Sequence, residues 1–112
     1  MTLFERIDAG EIPADIVFKN DDVLAFRDIH PQAPVHILVV PRRVIPRLGE
    51  AGEADTTLLG KLLLAAKDIA KSEGLADSGY RLVINHGPHA GESVPHLHLH
   101  ILGGRPMDWP PG

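Results

Sequence analysis

Three histidines alternate with apolar residues over positions 96–102, which read HLHLHIL. In a β-strand, successive side chains point to opposite faces of the sheet. This run therefore predicts a strand over His96–Leu102 whose apolar residues face a core while its histidines share the other face. The histidines would follow one another at about 6.6 Å, the rise of two strand residues. The fold must therefore contain a sheet with one buried face and a row of imidazoles on the other.

Turn residues and hydrophobic spacing divide the remaining sequence into two helices and four strands. Thr2 and Glu5 have the spacing of a capping box, which predicts a short helix at the start of the chain. Aliphatic residues at three- and four-residue spacing predict a long helix that Asp55 caps and Gly74 ends. Its predicted apolar face comprises Leu58, Leu59, Leu62, Leu63, Ala66, Ile69 and Ala70.

The other predicted strands are Ile16–Lys19, Val23–Asp28, Val35–Val40 and Tyr80–Asn85. Asn20, Asp21 and Asp22 separate the first two, as the turn of a hairpin. This order of elements predicts an α+β fold, with a five-stranded, mostly antiparallel sheet, one long helix and one short N-terminal helix.

The composition indicates one globular domain over residues 1–112, because a chain of this length with 44% hydrophobic residues suits a single core. Residues 107–112 include two prolines and predict an extended C-terminal tail. The absence of cysteine excludes disulfides, cysteine-ligated zinc and thiol nucleophiles. A net charge of −4 argues against broad nucleic-acid binding. The sequence shows no secretion signal and no apolar run of membrane length, so we expect a cytoplasmic protein without a membrane partner.

The histidine row can supply nucleophiles and hydrogen-bond donors near neutral pH, because the unperturbed pKa of imidazole lies closest to 7. Zinc binding is the alternative, with His96 and His98 converging on one ion and His36 as a third ligand. His100 would then lie roughly 13 Å from His96 and outside that site. Zinc leaves one histidine of the row unexplained, and we therefore expect no metal.

The alternating run resembles the signature of the histidine triad (HIT) superfamily of nucleotide hydrolases and transferases. Further segments resemble its HINT branch, the histidine triad nucleotide-binding proteins. These segments are Phe26–Pro34, Val35–Pro41 with His36, Tyr80–Asn85, Gly91–Val94, Leu102–Pro106 and Trp109–Gly112. The resemblance covers nearly the whole chain and implies a single HIT domain.

The resemblance implies a metal-independent, homodimeric purine nucleoside phosphoramidase. Such an enzyme hydrolyses the P–N bond of adenosine or guanosine 5′-phosphoramidates, and acyl-adenylates are further implied substrates. A dinucleoside polyphosphate hydrolase is one alternative within the superfamily. A nucleotide-binding regulatory protein with incidental catalysis is another.

The resemblance also implies catalytic roles. His98 corresponds to the nucleophile that attacks the α-phosphate, with its other ring nitrogen bonded to the backbone carbonyl of His96. His100 corresponds to a donor to a phosphate oxygen. His36 and His96 correspond to a pair that orients the nucleophile, and Ser93 to the group that assists the departing amine.

Nucleotide contacts follow from the same resemblance. Asp28 corresponds to the carboxylate that binds the ribose hydroxyls, and Asn85 to a residue near the phosphate and ribose. Trp109 corresponds to a tail residue that shapes the leaving-group site of a partner subunit. The expected backbone donors to the phosphate are Gly91, Glu92 and Ser93. The expected apolar clamp on the purine comprises Leu3, Phe4, Ile7, Phe26 and Ile29.

Two residues depart from the pattern of the HINT branch. Glu92 stands where many relatives have glutamine, and a carboxylate beside a phosphate repels it unless it turns away or is protonated. Pro95 stands where a large residue is common, and it removes a backbone donor before the histidine strand. Both departures bear on leaving-group preference and rate.

Overall fold

The computed structural model describes all of residues 1–112 and contains one five-stranded sheet with a helix on each face. The strands are β1 (Ile16–Lys19), β2 (Val23–Arg27), β3 (Val35–Pro41), β4 (Tyr80–Val83) and β5 (Leu99–Gly103). The helices are α1 (Leu3–Asp8) and α2 (Thr56–Ser72), with short 3₁₀ turns at Leu48–Glu50, Glu53–Asp55 and Pro88–Ala90. The strand order is β1-β2-β3-β5-β4, and every neighbouring pair is antiparallel. The predicted α+β fold is confirmed.

The two faces of the sheet bury separate apolar clusters. On one face, α2 packs against the sheet, and Leu97, Leu99 and Ile101 join this larger cluster as the alternation predicts. On the other face, α1 contributes Phe4 and Ile7 to a smaller cluster with side chains of β2 and β3. Because both faces are covered, β2 and β3 are apolar almost throughout instead of alternating.

Local hydrogen bonds stabilise most of the predicted helix ends and turns. Thr2 and Glu5 make both bonds of the capping box of α1. The Asn20 carboxamide accepts from two backbone amides in the β1–β2 turn. Gly74 follows the end of α2 with a φ of +78°, a conformation that favours glycine. Asp55 occupies the N-cap position of α2 without capping it, because its carboxylate accepts from Gly52 and from a guanidinium instead.

The last strand is shorter than predicted. Pro95 has no N–H, and the His96 amide bonds to the carbonyl of Val94 while the Leu97 amide bonds to that of Ile45. Residues 96–98 therefore do not pair with β3, and β5 begins at Leu99.

Other predicted bounds also shift. β2 and β4 end earlier than predicted, and β3 extends to include Pro41, which pairs with Val23. Leu63 is 51% exposed, so it does not belong to the buried face of α2. No helix of the chain is both long enough and apolar enough to cross a membrane.

Candidate active site

A cleft of about 660 Å³ opens on the α1 side of the sheet and is called the histidine cleft below. Its walls include most of the side chains singled out in the sequence: Leu3, Phe4, Ile7, Phe26, Asp28, Ile29, His36, Gly91, Ser93, His98 and His100. Asn85, Glu92, His96 and Trp109 do not line it. The fold therefore brings an apolar wall from α1 and β2 opposite three imidazoles.

His98 presents an unpaired ring nitrogen to the histidine cleft. Its Nδ1 lies 2.7 Å from the carbonyl oxygen of His96, which is the expected hydrogen bond. A carbonyl only accepts, so Nδ1 carries the proton and Nε2 of the neutral ring keeps its lone pair. Nε2 has no hydrogen-bond partner in the chain. It is also not one of the buried side-chain polar atoms that lack a partner. A neutral imidazole held this way can act as a nucleophile toward a group bound in the cleft.

His96 is fixed at both ring nitrogens and is 1% exposed. Its Nε2 lies 2.7 Å from the carbonyl oxygen of Pro41, and its Nδ1 lies 2.8 Å from the hydroxyl of Thr2. Burial lowers the pKa of His96, which keeps the ring neutral. The His96 side chain therefore has a structural role beneath the cleft, and the His96 backbone carbonyl orients His98.

His36 and His100 form a directed pair. The backbone N–H of Gln32 donates to Nδ1 of His36 at 3.0 Å, so the neutral His36 ring carries its proton on Nε2. That nitrogen lies 2.8 Å from Nδ1 of His100 and donates to it. His100 is then left with a proton on Nε2, which makes it a hydrogen-bond donor. His36 bonds to His100 and not to His98, so its expected role in orienting the nucleophile stays a prediction without a direct contact between the two rings.

Burial keeps this pair uncharged at neutral pH. Burial lowers the pKa of His36, and the Asp28 carboxylate opposes this shift. Burial, with the neighbouring His98 and His36, lowers the pKa of His100 to about 4. His100 is thus a neutral donor whose proton persists across the physiological pH range.

Asp28 lies at the rim of the histidine cleft, directly after β2. One carboxylate oxygen accepts from the backbone N–H of His30 at 2.8 Å, and the other lies 3.5 Å from Nε2 of His36. Its neighbour Ile29 is 82% exposed although it is a large apolar residue. The rim therefore places a carboxylate beside an exposed apolar side chain.

The loop before the triad offers fewer backbone donors than expected. The amide of Gly91 donates to the carbonyl of Pro88, and that of Glu92 donates to the carbonyl of Gly87. These two amides are occupied, which corrects the expectation that both face a phosphate. The N–H of Ser93 has no partner within the chain and remains available.

Glu92 turns away from the histidine cleft. Its carboxylate accepts from Nε and Nη2 of Arg47 at 3.1 Å each, and also from the N–H of Gly87. The hydrogen bond from Arg47 lowers the pKa of Glu92, so the group is ionised and paired. The pairing removes the repulsion that a carboxylate beside a phosphate would cause.

Two expected site residues lie away from the histidine cleft. Asn85 follows β4, makes no side-chain hydrogen bond and does not line the cleft. Trp109 is 82% exposed, and the Arg81 guanidinium lies 6.0 Å from its ring centre. Neither residue lines the histidine cleft of the single chain, and their expected ligand contacts stay predictions.

Sequence reasoning missed three residues that support the site. Gln32 sets the proton on His36 through its backbone, for which no side-chain signal exists. The capping-box spacing predicts Thr2 as a helix cap, but its contact with His96 spans 94 residues of sequence. Arg47 could have been suspected as the partner of Glu92 because an ionised carboxylate needs a cation nearby.

The donor atoms that could hold a metal differ from the set inferred from sequence. His96 cannot serve, because both of its ring nitrogens are already bonded. Asp28, His36 and His100 instead offer donor atoms within 4.8 Å of one another. Two imidazoles and one carboxylate are a suitable donor set for zinc. The same nitrogens of His36 and His100 are, however, 2.8 Å apart and satisfy each other by a hydrogen bond.

Comparison with known proteins gives consistent matches over the whole chain. A family model described as the HIT domain matches residues 9–107. The chain is 53% identical to adenylylsulfatase HINT1 of Arabidopsis thaliana, covering 99% of this chain and 76% of that protein. It is 52% identical to the 14 kDa zinc-binding protein of Zea mays, covering 99% of this chain and 88% of that protein. A solved HIT family hydrolase from Legionella pneumophila matches with a TM-score of 0.98 at 49% identity, covering 100% of both chains.

Proposed function

Since this chain belongs to the HIT domain family of hydrolases, we propose that it is a purine nucleoside phosphoramidase that acts through a nucleotidyl-histidine intermediate. The observation that carries the proposal is the free Nε2 of His98 at the histidine cleft, with its proton held on Nδ1 by the His96 carbonyl. The substrate is an adenosine or guanosine 5′-monophosphate joined to an amine, or the related acyl-adenylate.

In the first step, Nε2 of His98 attacks the α-phosphorus and the P–N bond breaks. The departing nitrogen takes a proton, which the hydroxyl of Ser93 relays from solvent. The phosphorylated ring keeps its Nδ1 proton and becomes cationic, and the His96 carbonyl at 2.7 Å stabilises that charge. In the second step, water attacks the phosphorus and loses a proton to solvent, the P–Nε2 bond breaks to release the nucleoside monophosphate, and His98 returns to the neutral form.

Donors around the phosphate stabilise the charge that develops during both steps. The Nε2–H of His100 and the backbone N–H of Ser93 donate to the non-bridging oxygens. The low pKa of His100 means that this donor is neutral, so its proton is not lost to the phosphate as pH changes near 7.

The remaining wall of the histidine cleft suits a purine nucleoside. Asp28 keeps one carboxylate oxygen free of strong hydrogen bonds and binds the ribose hydroxyls with it. Leu3, Phe4, Ile7, Phe26 and Ile29 pack on the base, and the exposed Ile29 gains most from being covered. The protein acts as a homodimer in the cytoplasm, and the tail with Trp109 borders the partner's leaving-group site.

The decisive experiment compares substrates and variants. Wild-type protein should hydrolyse an adenosine phosphoramidate faster than diadenosine polyphosphates, and adenylyl sulfate belongs in the panel because of the Arabidopsis relative's name. His98→Ala should lose at least about 10³-fold in kcat while the protein stays folded. His89→Ala is the matched control, because His89 lies in the exposed loop turn and lines no part of the cleft. Normal turnover in His98→Ala, or no covalent nucleotide in quenched wild-type reactions, rejects this function.

Zinc binding is the second candidate function, favoured by the Asp28–His36–His100 donor set and by the name of the Zea mays relative. The two functions separate under chelation. A phosphoramidase of the proposed kind keeps its activity after EDTA treatment. A zinc protein takes up one ion per chain in a titration and loses that uptake in Asp28→Asn.

A further inference from the structure

The N-terminal cap of α1 is linked to the nucleophile through His96, which hydrogen-bonds to Thr2 by its ring and to His98 by its backbone carbonyl. Thr2 precedes α1, and its hydroxyl accepts from the backbone N–H of Glu5 at 3.1 Å. The same hydroxyl lies 2.8 Å from Nδ1 of His96. One side chain thus ends a helix and contacts a buried histidine 94 residues away in sequence.

The direction of the Thr2–His96 bond follows from its surroundings. Nε2 of His96 lies 2.7 Å from the carbonyl of Pro41, which only accepts, so Nε2 carries the ring proton. Nδ1 is then a bare lone pair, and the Thr2 hydroxyl must donate its proton to it. The hydroxyl therefore uses one lone pair for Glu5 and its only proton for His96, which leaves it a single orientation.

The contact has consequences for His98 because His96 also supplies the carbonyl that holds the nucleophile. Rotation of the His96 ring would break the bonds to both Thr2 and Pro41, so these two bonds fix its backbone as well. Phe4 follows Thr2 in α1, and its ring lies 5.3 Å from that of His96 and 5.0 Å from that of His98, centre to centre. The start of α1 therefore touches both rings that prepare the attack.

We propose that Thr2 is a positioning residue for the nucleophile: its hydroxyl holds His96 so that the His96 carbonyl fixes the proton and orientation of the His98 ring. This role rests on the proposed nucleotidyl transfer to His98, whereas the hydrogen-bond link itself does not. Nothing in a helix-capping role would require a donated proton at this position.

Three substitutions separate positioning from capping. Thr2→Ser keeps the hydroxyl and serves as the conservative control. Thr2→Val keeps the shape and removes both bonds. Thr2→Asp keeps a good helix cap, because a carboxylate accepts from the Glu5 amide as well as a hydroxyl does, but it has no proton to give His96.

The expected result is a change in kcat without a matching change in KM. Thr2→Asp should lower kcat about tenfold, the effect of one misplaced hydrogen bond, while KM changes by less than about twofold. Thr2→Val should lose kcat to a similar extent and should also raise KM, because it removes the cap as well. Thr2→Ser should restore most of the rate. Loss of the cap alone would instead loosen the apolar wall from α1, which raises KM, spares Thr2→Asp and lowers the melting temperature of Thr2→Val.

Nitrogen-15 NMR of the histidine rings provides a readout that does not need a substrate. Wild type and Thr2→Ser should show His96 protonated on Nε2 and His98 on Nδ1. In Thr2→Asp, Nδ1 of the neutral His96 ring should lose its hydrogen-bond donor, and the His98 ring should lose its single tautomer.

The two proposals can fail separately. Wild-type kinetics and ring signals in Thr2→Asp would overturn the positioning role and leave Thr2 as a helix cap. An active His98→Ala variant would reject the nucleotidyl-histidine mechanism, even where the ring signals change in Thr2→Asp as described.

Discussion

Two backbone groups decide which ring nitrogen carries the proton in His36, His98 and His100. The backbone amide of Gln32 can only donate, so Nδ1 of His36 accepts from it and the ring proton of His36 lies on Nε2. Nε2 of His36 donates to Nδ1 of His100, so the ring proton of His100 also lies on Nε2. The carbonyl of His96 can only accept, so His98 keeps its proton on Nδ1. Adjacent imidazoles, whose ring centres are 5.1 Å apart, therefore offer the ligand a lone pair and a donor side by side.

The low pKa of His100 predicts an acid sensitivity of the folded state. The unfolded chain takes up a proton on this ring near the ordinary pKa of 6.5, whereas the folded chain does so only near 4. The unfolded state therefore binds more protons in this window, and the free energy of unfolding should fall as pH drops from about 6.5 to about 4. His36, whose pKa burial also lowers, adds to the same trend.

Denaturant unfolding measured across that pH range checks this prediction. His100→Asn, which cannot titrate, should show a shallower loss of stability, while the exposed His89→Ala should follow wild type. Parallel curves for His100→Asn and wild type would contradict the assignment.

The Arg47–Glu92 ion pair holds the loop that carries Ser93, so we expect its loss to lower kcat in a salt-sensitive way. Glu92→Gln keeps the shape but loses the charge that ties the loop to Arg47, so kcat should fall by about two- to fivefold with little change in nucleotide KM. Arg47→Gln should have the same effect, and the double variant should be no worse than either single one. A double variant whose losses multiply would show that the two side chains act independently. High salt should reduce the difference from wild type.

At the scale of elements, the sequence predicted which segments form helices and strands but not how the last strand begins. Leu97 faces the core as alternation requires, yet Pro95 and the bond from the Leu97 amide to Ile45 keep residues 96–98 out of the sheet. The alternation of apolar residues indicates which face each side chain occupies. The bounds of a strand depend instead on which backbone groups form hydrogen bonds with the neighbouring strand. The roles of Thr2, Gln32 and Arg47 could not be predicted, because each acts through a contact distant in sequence or through its backbone.

The C-terminal tail, residues 107–112, is expected to influence substrate choice without supporting the fold. It contains no helix or strand, Trp109 is exposed, and the tail's hydrogen bond runs from Arg81 to the carbonyl of Asp108. Deletion of residues 107–112 should leave the melting temperature nearly unchanged. It should alter the ranking of kcat/KM among amine leaving groups while the binding of nucleoside monophosphate stays constant.

Arg81→Ala is the matched variant, since it frees the tail without removing it and should shift the ranking in the same direction. If the ranking is unaffected in both proteins, the tail does not border a leaving-group site. A marked loss of thermal stability on deletion would instead assign it a structural role.

The whole molecule has surfaces that a second copy could cover. β4 is an edge strand, and its side of the sheet carries the partly exposed Tyr80 and Ile84. On the outer side of α2, Leu63 and Leu64 are each more than half exposed. Unpaired strand edges and adjacent exposed leucines are features that dimerisation commonly buries.

Light scattering at micromolar concentration should therefore give twice the chain mass of 12.1 kDa. Leu64→Glu should weaken the dimer because it places a charge on the apolar outer side of α2, whereas Leu48→Glu, on an exposed turn elsewhere, should not. A monomeric mass for the wild-type protein would sink this prediction.

The position of the sole tryptophan decides what optical spectroscopy can report on this protein. Neither apolar cluster contains a tryptophan, so intrinsic tryptophan fluorescence does not report the loss of core packing. Trp109 already has much of the solvent contact that it would have in an unfolded chain. We expect its emission to follow events at the tail instead: release from Arg81 and, in the proposed dimeric phosphoramidase, contact with the partner subunit or the arrival of a bulky amine. The chain thus carries a built-in optical probe for its C-terminus, and global unfolding has to be followed by circular dichroism.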